Sequence, residues 1–293
     1  MKVETIQISS GASLHRYVQE MTYQDKRAIL ILPGGGYKSH EQREKEPIAI
    51  AYLSQGYQVF ILDYLITHPL SWSATWNSTQ EVMKLLYESQ NLWHFAFSKL
   101  ALIGFSAGGH LAMIMAARGS LKPCGVLLCY PLISEKLAKL INADLPGADQ
   151  FIDEHTPPVF IFSTYEDHTV PVRNTLQLLT ALNDYHIPFE SHIFQWGHHG
   201  LTLAQPWTAN EKENNVDAHA AHWFSLSIEW LDRILTDDGF KRVEKENSIN
   251  ILRKQPEIAK QLYIEFPILK DAELLEALGH FTLDELREKL NRN

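Results

Sequence analysis

Along the first 236 residues, short apolar runs alternate with longer segments in which apolar positions recur at helical spacing. Ala28–Leu32, Tyr57–Leu62, Leu100–Ile103, Gly125–Tyr130, Pro158–Ser163 and Phe189–Phe194 are the candidate strands, several of them nearly unbroken in hydrophobicity, as strands covered on both faces are. The segments between them suit crossover helices, which predicts an α/β fold with a mostly parallel central sheet flanked by helices. Val3–Ser9 and Leu14–Gln19 predict an antiparallel edge at the N-terminal side.

Past this region the pattern changes to short amphipathic helices. Thr282-Leu283-Asp284-Glu285 has the form of a capping box, and Leu283, Leu286 and Leu290 then fall on one helical face. Residues 237–293 hold 10 Lys/Arg and 12 Asp/Glu among 57 residues, whereas all seven tryptophans precede them. The expected division is a main domain over 1–236 and a charged helical extension over 237–293, with Asp237-Asp238-Gly239 as the hinge. An extension of about 55 residues with few aromatics makes a marginal core, so it is expected to dock on the main domain or to form a homo-oligomer contact.

Composition narrows the function classes. With 293 residues, 45% hydrophobic and 21% charged, the chain has the material for a substantial core and is not of the disordered type. The net charge of -9 argues against nucleic acid and anionic membrane surfaces, and most of it belongs to the first 236 residues. Cys124 and Cys129 are too few for a disulfide framework or a metal cage, which favours a reducing compartment. The N-terminal residues lack a signal-like apolar stretch, and no apolar run is long enough to span a bilayer, so a soluble, cytoplasmic protein is expected.

The chemistry concentrates in four places. Gly104-Phe105-Ser106-Ala107-Gly108 fits G-x-S-x-G between a buried strand and the helix-like His110–Arg118, the context of a nucleophile elbow. There Ser106 takes strained backbone angles and stands at a helix N-terminus, where developing negative charge is favoured. Upstream, Pro33-Gly34-Gly35-Gly36-Tyr37 follows a strand and exposes backbone amides, as an oxyanion hole requires; each such donor is worth about 3 kcal/mol in enzymes where one has been removed. Gly35 or Gly36 and Ala107 are the expected donors, and the absence of G-x-G-x-x-G or Gly-Lys-Ser/Thr weakens a nucleotide reading. A serine hydroxyl needs a base, and the base an orienting acid. Asp167, in Glu166-Asp167-His168-Thr169-Val170-Pro171, lies just past a strand end, with Glu166 and Asp153 as rivals. Gln195-Trp196-Gly197-His198-His199-Gly200 follows the last strand, and spacing does not choose between its two histidines.

With these motifs in this order, the chain resembles the α/β-hydrolase superfamily over roughly residues 15–235, and within it the small acetyl xylan esterase and feruloyl esterase-like carboxylesterases. The resemblance implies an α/β-hydrolase fold with Ser106 as nucleophile, Asp167 as acid and His199 as base. It also implies that the Gly-Gly-Gly-Tyr loop replaces the His-Gly-Gly-Gly loop of lipases and puts an oxyanion donor at Gly35 or Gly36. The implied function is hydrolysis of short-chain, above all acetyl, esters of small molecules such as sugars or xylo-oligosaccharides, without a cofactor. A peptidase of the same fold and a non-catalytic interaction protein on a hydrolase scaffold are the alternatives. The stretch from Tyr130-Pro131 to Pro157-Pro158 is short for this group, so an acyl pocket that is open or built from elsewhere is expected.

Two other features read as structural. His219 and His222 share a helical spacing that can serve a metal, but zinc needs three or four ligands and no third is marked, so no metal site is expected. Trp72 and Trp76 suit packing better than lining a site.

Overall fold

Alternate residues of the apolar runs part to opposite faces of one sheet, which is why the runs are apolar throughout. In the strand Ala28–Leu32, Leu30 and Leu32 enter one core with Leu62, Leu102 and Leu128, while Ile29 and Ile31 enter a second core with Val59, Ile103 and Phe160. Both faces are therefore dry, as expected for parallel strands flanked by helices.

The computed structural model describes residues 2–18, 26–235 and 248–291 and divides into two compact units, Met1–Asp237 and Asp238–Asn293. The first contains β1 (Lys2–Gln7), β2 (Ser13–Val18), β3 (Ala28–Leu32), β4 (Gln58–Asp63), β5 (Leu100–Phe105), β6 (Gly125–Cys129), β7 (Val159–Thr164) and β8 (Phe189–Phe194). They form one eight-stranded sheet in the order β1-β2-β4-β3-β5-β6-β7-β8. The β1–β2 and β2–β4 pairs are antiparallel and the remaining pairs parallel. This is the α/β-hydrolase type of architecture anticipated above, including its antiparallel edge. The expected first strand is shorter than Val3–Ser9 suggests, because Ile8 to Ala12 close a turn in which Gly11 has φ 100. Gln19 and the expected hinge Asp237-Asp238-Gly239 lie outside the described residues.

The helices follow the same division. Val82, Met83 and Leu86 of α2 (Trp72–Ser89) and the buried residues of α3 (Ala107–Arg118) lie in the first core, joined by Leu178 and Leu182 of α5 (Arg173–Asp184). Ile48 and Tyr52 of α1 (Glu46–Ser54) and Trp223, Trp230 and Leu231 of α6 (Trp223–Leu235) fill the second core. A shorter helix, α4 (Glu135–Ile141), follows β6 and is capped by Ser134, whose hydroxyl accepts from the Leu137 amide. Cys124 and Cys129 are free thiols. Burial pushes the Cys124 thiol up to about 12 and Cys129 well above its ordinary value, so neither presents a thiolate.

The second unit carries α7 (Ile249–Leu252), α8 (Pro256–Glu265), α9 (Ala272–Leu278) and α10 (Leu283–Asn291) around a small core of its own that includes Ile249, Leu262, Leu269 and Leu286. The capping box is formed: the Thr282 amide donates to Glu285 Oε2 at 2.8 Å, and the Glu285 amide to Thr282 Oγ1 at 3.4 Å.

Candidate active site

Ser106 joins β5 to α3 with φ 51 and ψ -115, a conformation that costs an L-residue energy and persists only where its surroundings impose it. Three backbone hydrogen bonds do so here. The Ser106 amide donates to the Cys129 carbonyl at 3.0 Å, and its carbonyl accepts from the His110 and Leu132 amides, both at 3.1 Å. The helix begins at Ala107, three residues before the helix-like segment read from the sequence, so Ala107 and Gly108 belong to its first turn.

Two neighbouring strand ends bring the partners in. Asp167 follows β7 and its side chain is fully buried, whereas that of His199, after β8, is 18% exposed. Asp167 Oδ1 accepts from the Thr169 and Val170 amides at 2.9 and 2.8 Å, and Oδ2 lies 2.6 Å from His199 Nδ1. A carboxylate so placed fixes the tautomer: Nδ1–H donates to Asp167, and Nε2 is left to accept from Ser106 Oγ, 2.8 Å away. The rivals are otherwise occupied. Glu166 accepts from the Gly197 amide, Asp153 accepts from the His155 amide and the Thr156 hydroxyl, and His198 meets the His168 ring edge-on at 6.5 Å.

The glycine loop after β3 carries three successive positive φ values, at Gly35 (119), Gly36 (62) and Tyr37 (57). Gly35 is obligatory, because a Cβ there would stand 2.1 Å from the Ser39 carbonyl oxygen. The loop is pinned by the Tyr64 hydroxyl, which donates to the Pro33 carbonyl at 3.0 Å, and by Tyr37, whose hydroxyl lies 2.7 Å from His110 Nδ1. Among the described residues, the amides of Gly35, Gly36 and Ala107 donate to no group of the chain. Gly35, Gly36, Ser106, Ala107 and His199 line one cleft of about 440 Å³.

His110 ties this loop to the elbow helix and titrates in a readable window. It is fully buried, its Nε2 lies 2.9 Å from the Pro146 carbonyl, and desolvation holds the imidazole down at about 4 against an ordinary 6.5. Nε2–H then donates to Pro146, and Nδ1 accepts from Tyr37. A depressed histidine leaves the unfolded chain binding the proton first, so its stabilisation is present above pH 6.5 and lost as pH falls towards 4. At about 1.4 kcal/mol per pH unit, the expected loss across that window is about 3 kcal/mol. Unfolding free energies measured at pH 7, 6, 5 and 4 should slope more steeply in wild type than in His110→Gln by close to one proton, and parallel slopes would reject this.

The cleft also holds residues that the sequence does not advertise. Leu132 and, from α4, Leu137, Leu140 and Ile141 form an apolar wall beside Ser106. The short stretch after Tyr130-Pro131 thus supplies a wall itself, which corrects the expectation of a pocket built from elsewhere. Glu44 is 2% exposed; burial raises its carboxyl above the ordinary value, opposed by hydrogen bonds from Tyr130 and the Gly34 amide. Arg43 Nη1 and Asn215 Nδ2 both donate to the Gly200 carbonyl at 3.1 Å, holding the residue after His199. The charged run His40–Glu46 has no periodicity that separates Glu44 from a solvated face, so no sequence signal marks it.

The remaining candidates are packed. Trp72 meets Tyr37 and His110 edge-on, Arg118 covers the Trp76 ring, and neither tryptophan lines the cleft. His219 abuts Phe194 and His222, and among the described residues no group of three or more His, Cys, Asp or Glu could hold a metal ion.

Residues 14–127 match the BD-FAE family model. An acetylxylan esterase of Xylanibacter ruminicola is 26% identical over 197 residues, covering 60% of this chain and 41% of the relative. Endo-1,4-beta-xylanase B of Butyrivibrio fibrisolvens is 28% identical over 206 residues, covering 60% of this chain and 32% of the relative. The chain thus spans less than half the length of these two relatives. An α/β-hydrolase enzyme from a Medee basin deep-sea metagenome library has a solved structure that superposes with TM-score 0.73 at 35% identity, over 80% of this chain and 98% of that one. An acetyl ester-xyloside bifunctional hydrolase from Caldicellulosiruptor lactoaceticus superposes with TM-score 0.67 at 28% identity, over 76% of this chain and 88% of that one. With the sheet order, the elbow and these likenesses together, the chain belongs to the α/β-hydrolase superfamily.

Proposed function

We propose that the protein is a serine carboxylesterase that removes short acyl groups, acetyl above all, from hydroxyls of small sugars or xylo-oligosaccharides. The observation that carries the reading is the unbroken contact chain from Asp167 through His199 to Ser106, opening on a cleft that Gly36 and Ala107 also line. Ser106 Oγ attacks the ester carbonyl while His199 Nε2 takes its proton. Charge develops on the former carbonyl oxygen, where the free amides of Ala107 and of Gly35 or Gly36 stabilise it. His199 then protonates the leaving alcohol. Water, deprotonated by the same nitrogen, attacks the acyl-enzyme and releases the acid, and Asp167 stabilises the imidazolium in both halves.

The substrate class is argued from the cleft and the relatives. The Leu132, Leu137, Leu140 and Ile141 wall suits a small apolar acyl group, and the acidic main unit favours a neutral or cationic alcohol. Acetylxylan is the substrate that the esterase relative from Xylanibacter ruminicola is named for. The test combines a fluorophosphonate probe with an acyl series. The probe should label Ser106 in wild type and not in Ser106→Ala, and kcat/KM should fall at least ~10-fold from 4-nitrophenyl acetate to the octanoate. An unlabelled wild type rejects the serine mechanism, and an octanoate preference rejects the short-acyl assignment.

A further inference from the structure

We propose that Glu44, acting through Tyr130, is a positioning residue that locks the oxyanion loop to the loop of the catalytic histidine. The inference rests on the esterase reading and assigns a role to a buried carboxylate that the Ser106–His199–Asp167 chemistry does not use.

The contacts run through three separate loops. Glu44 Oε2 accepts from the Gly34 amide at 2.7 Å, immediately before the candidate oxyanion donors. Oε1 accepts from the Tyr130 hydroxyl, also at 2.7 Å, and that hydroxyl accepts from the Thr202 amide at 3.2 Å, three residues beyond His199. The Tyr130 ring meets the His199 imidazole edge-on at a centroid distance of 5.0 Å. Tyr130 and Thr202 both hold positive φ, 41 and 54. The packing behind them is equally tight: Trp223 Nε1 donates to the Thr202 carbonyl at 2.8 Å, and a Cβ on Gly34 would stand 2.9 Å from the Glu44 carboxylate and 3.0 Å from Ser106 Cβ.

Burying a carboxylate costs several kcal/mol unless its lone pairs are filled, and no cation is paired with Glu44 among the described residues. Two strong hydrogen bonds offset that cost, and both donors belong to, or lead into, the loops that must be held relative to Ser106. A positive charge on His199 favours the ionised form of Glu44, against the effect of burial. A neutral side chain of the same shape keeps the packing and loses both the charge and one of the two acceptor positions.

The experiment uses the full chain with Glu44→Gln and Tyr130→Phe, each normalised to the number of serines a fluorophosphonate labels. Both variants should show kcat per labelled site lowered roughly 10- to 100-fold, the cost of small misplacements of reacting groups, with KM within about twofold. Affinity for a trifluoromethyl ketone, which forms the oxyanion on Ser106, should fall by the same factor as kcat/KM. A purely structural role would lower the labelled fraction and leave kcat per site unchanged, and that result overturns the proposal. So does a rise in KM at constant kcat. Should Glu44→Gln fail to fold, Tyr130→Phe decides alone, since it keeps the ring against His199 and removes only the hydroxyl. An unlabelled wild type removes the esterase reading and this inference together, whereas labelled variants with wild-type turnover remove only the inference.

Discussion

Ser106→Ala is expected to lower the rate of 4-nitrophenyl acetate hydrolysis about 10⁵-fold while leaving the fold intact. The substitution keeps the Cβ, so the strained φ of 51 and the three backbone hydrogen bonds that hold it are unaffected, and only Oγ is lost. His199→Ala removes the acceptor 2.8 Å from that oxygen and should cost a similar factor, because an unassisted hydroxyl is a poor nucleophile. The double variant should be hardly worse than either single one, since the second residue has nothing left to act on. Asp167→Asn should fall about 10⁴-fold: an amide nitrogen facing Nδ1 favours the tautomer whose proton points at Ser106. The measurement is kcat/KM for the four proteins, with circular dichroism to establish that each is folded. Additive losses, or rates within tenfold of wild type, would reject the assigned mechanism.

How much of this arrangement is legible in the sequence depends on whether the forces involved are local. The parallel strands of the sheet centre are legible because burial on both faces leaves an apolar run, as in Ala28–Leu32, which has the same bounds in the sequence reading and in the structure. Phe189–Phe194 also keeps its bounds, but as an edge strand that is only partly buried. The elbow and the Gly35 turn are legible because steric demands at adjacent residues restrict the choice of amino acid there. The choice between His198 and His199, or among Glu166, Asp167 and Asp153, is not local. It is made where the loops after β7 and β8 close on each other, by residues 32 apart in the chain. Glu44 and Tyr130 are further from reach, 86 residues apart, and each reads in isolation as something ordinary, a charge on a polar face and the end of a strand. The wall of α4 is hidden for the same reason: its leucines look like the apolar face of any short helix, and Leu140 is 81% exposed because it borders a cleft rather than a core.

Gly108→Ala is the second large effect, and it separates two reasons for a glycine near Ser106. A Cβ at Gly108 would stand 2.2 Å from the Leu32 carbonyl oxygen and 2.4 Å from that of Pro33, both backbone atoms at the end of β3. No rotamer change relieves such a contact, so α3 and the β3 end must move apart. Overpacking of this kind against backbone is expected to cost about 3–5 kcal/mol. Gly36→Ala meets no atom within 4 Å and pays only for its φ of 62, roughly 1–2 kcal/mol. Urea unfolding followed by tryptophan fluorescence reports on the first unit, which holds all seven tryptophans, and should place Gly108→Ala well below Gly36→Ala. The same displacement separates the amide of Ala107 from those of Gly35 and Gly36, the two sides of the proposed oxyanion site. Any Gly108→Ala protein that folds should therefore lose about 100-fold in kcat per labelled serine. Equal stability of the two variants would mean that the close approach of α3 to β3 is not what the second glycine of Gly-Phe-Ser-Ala-Gly serves. Turnover at the wild-type rate in folded Gly108→Ala would mean that the spacing between these two elements does not set the geometry in which the ester carbonyl is polarised.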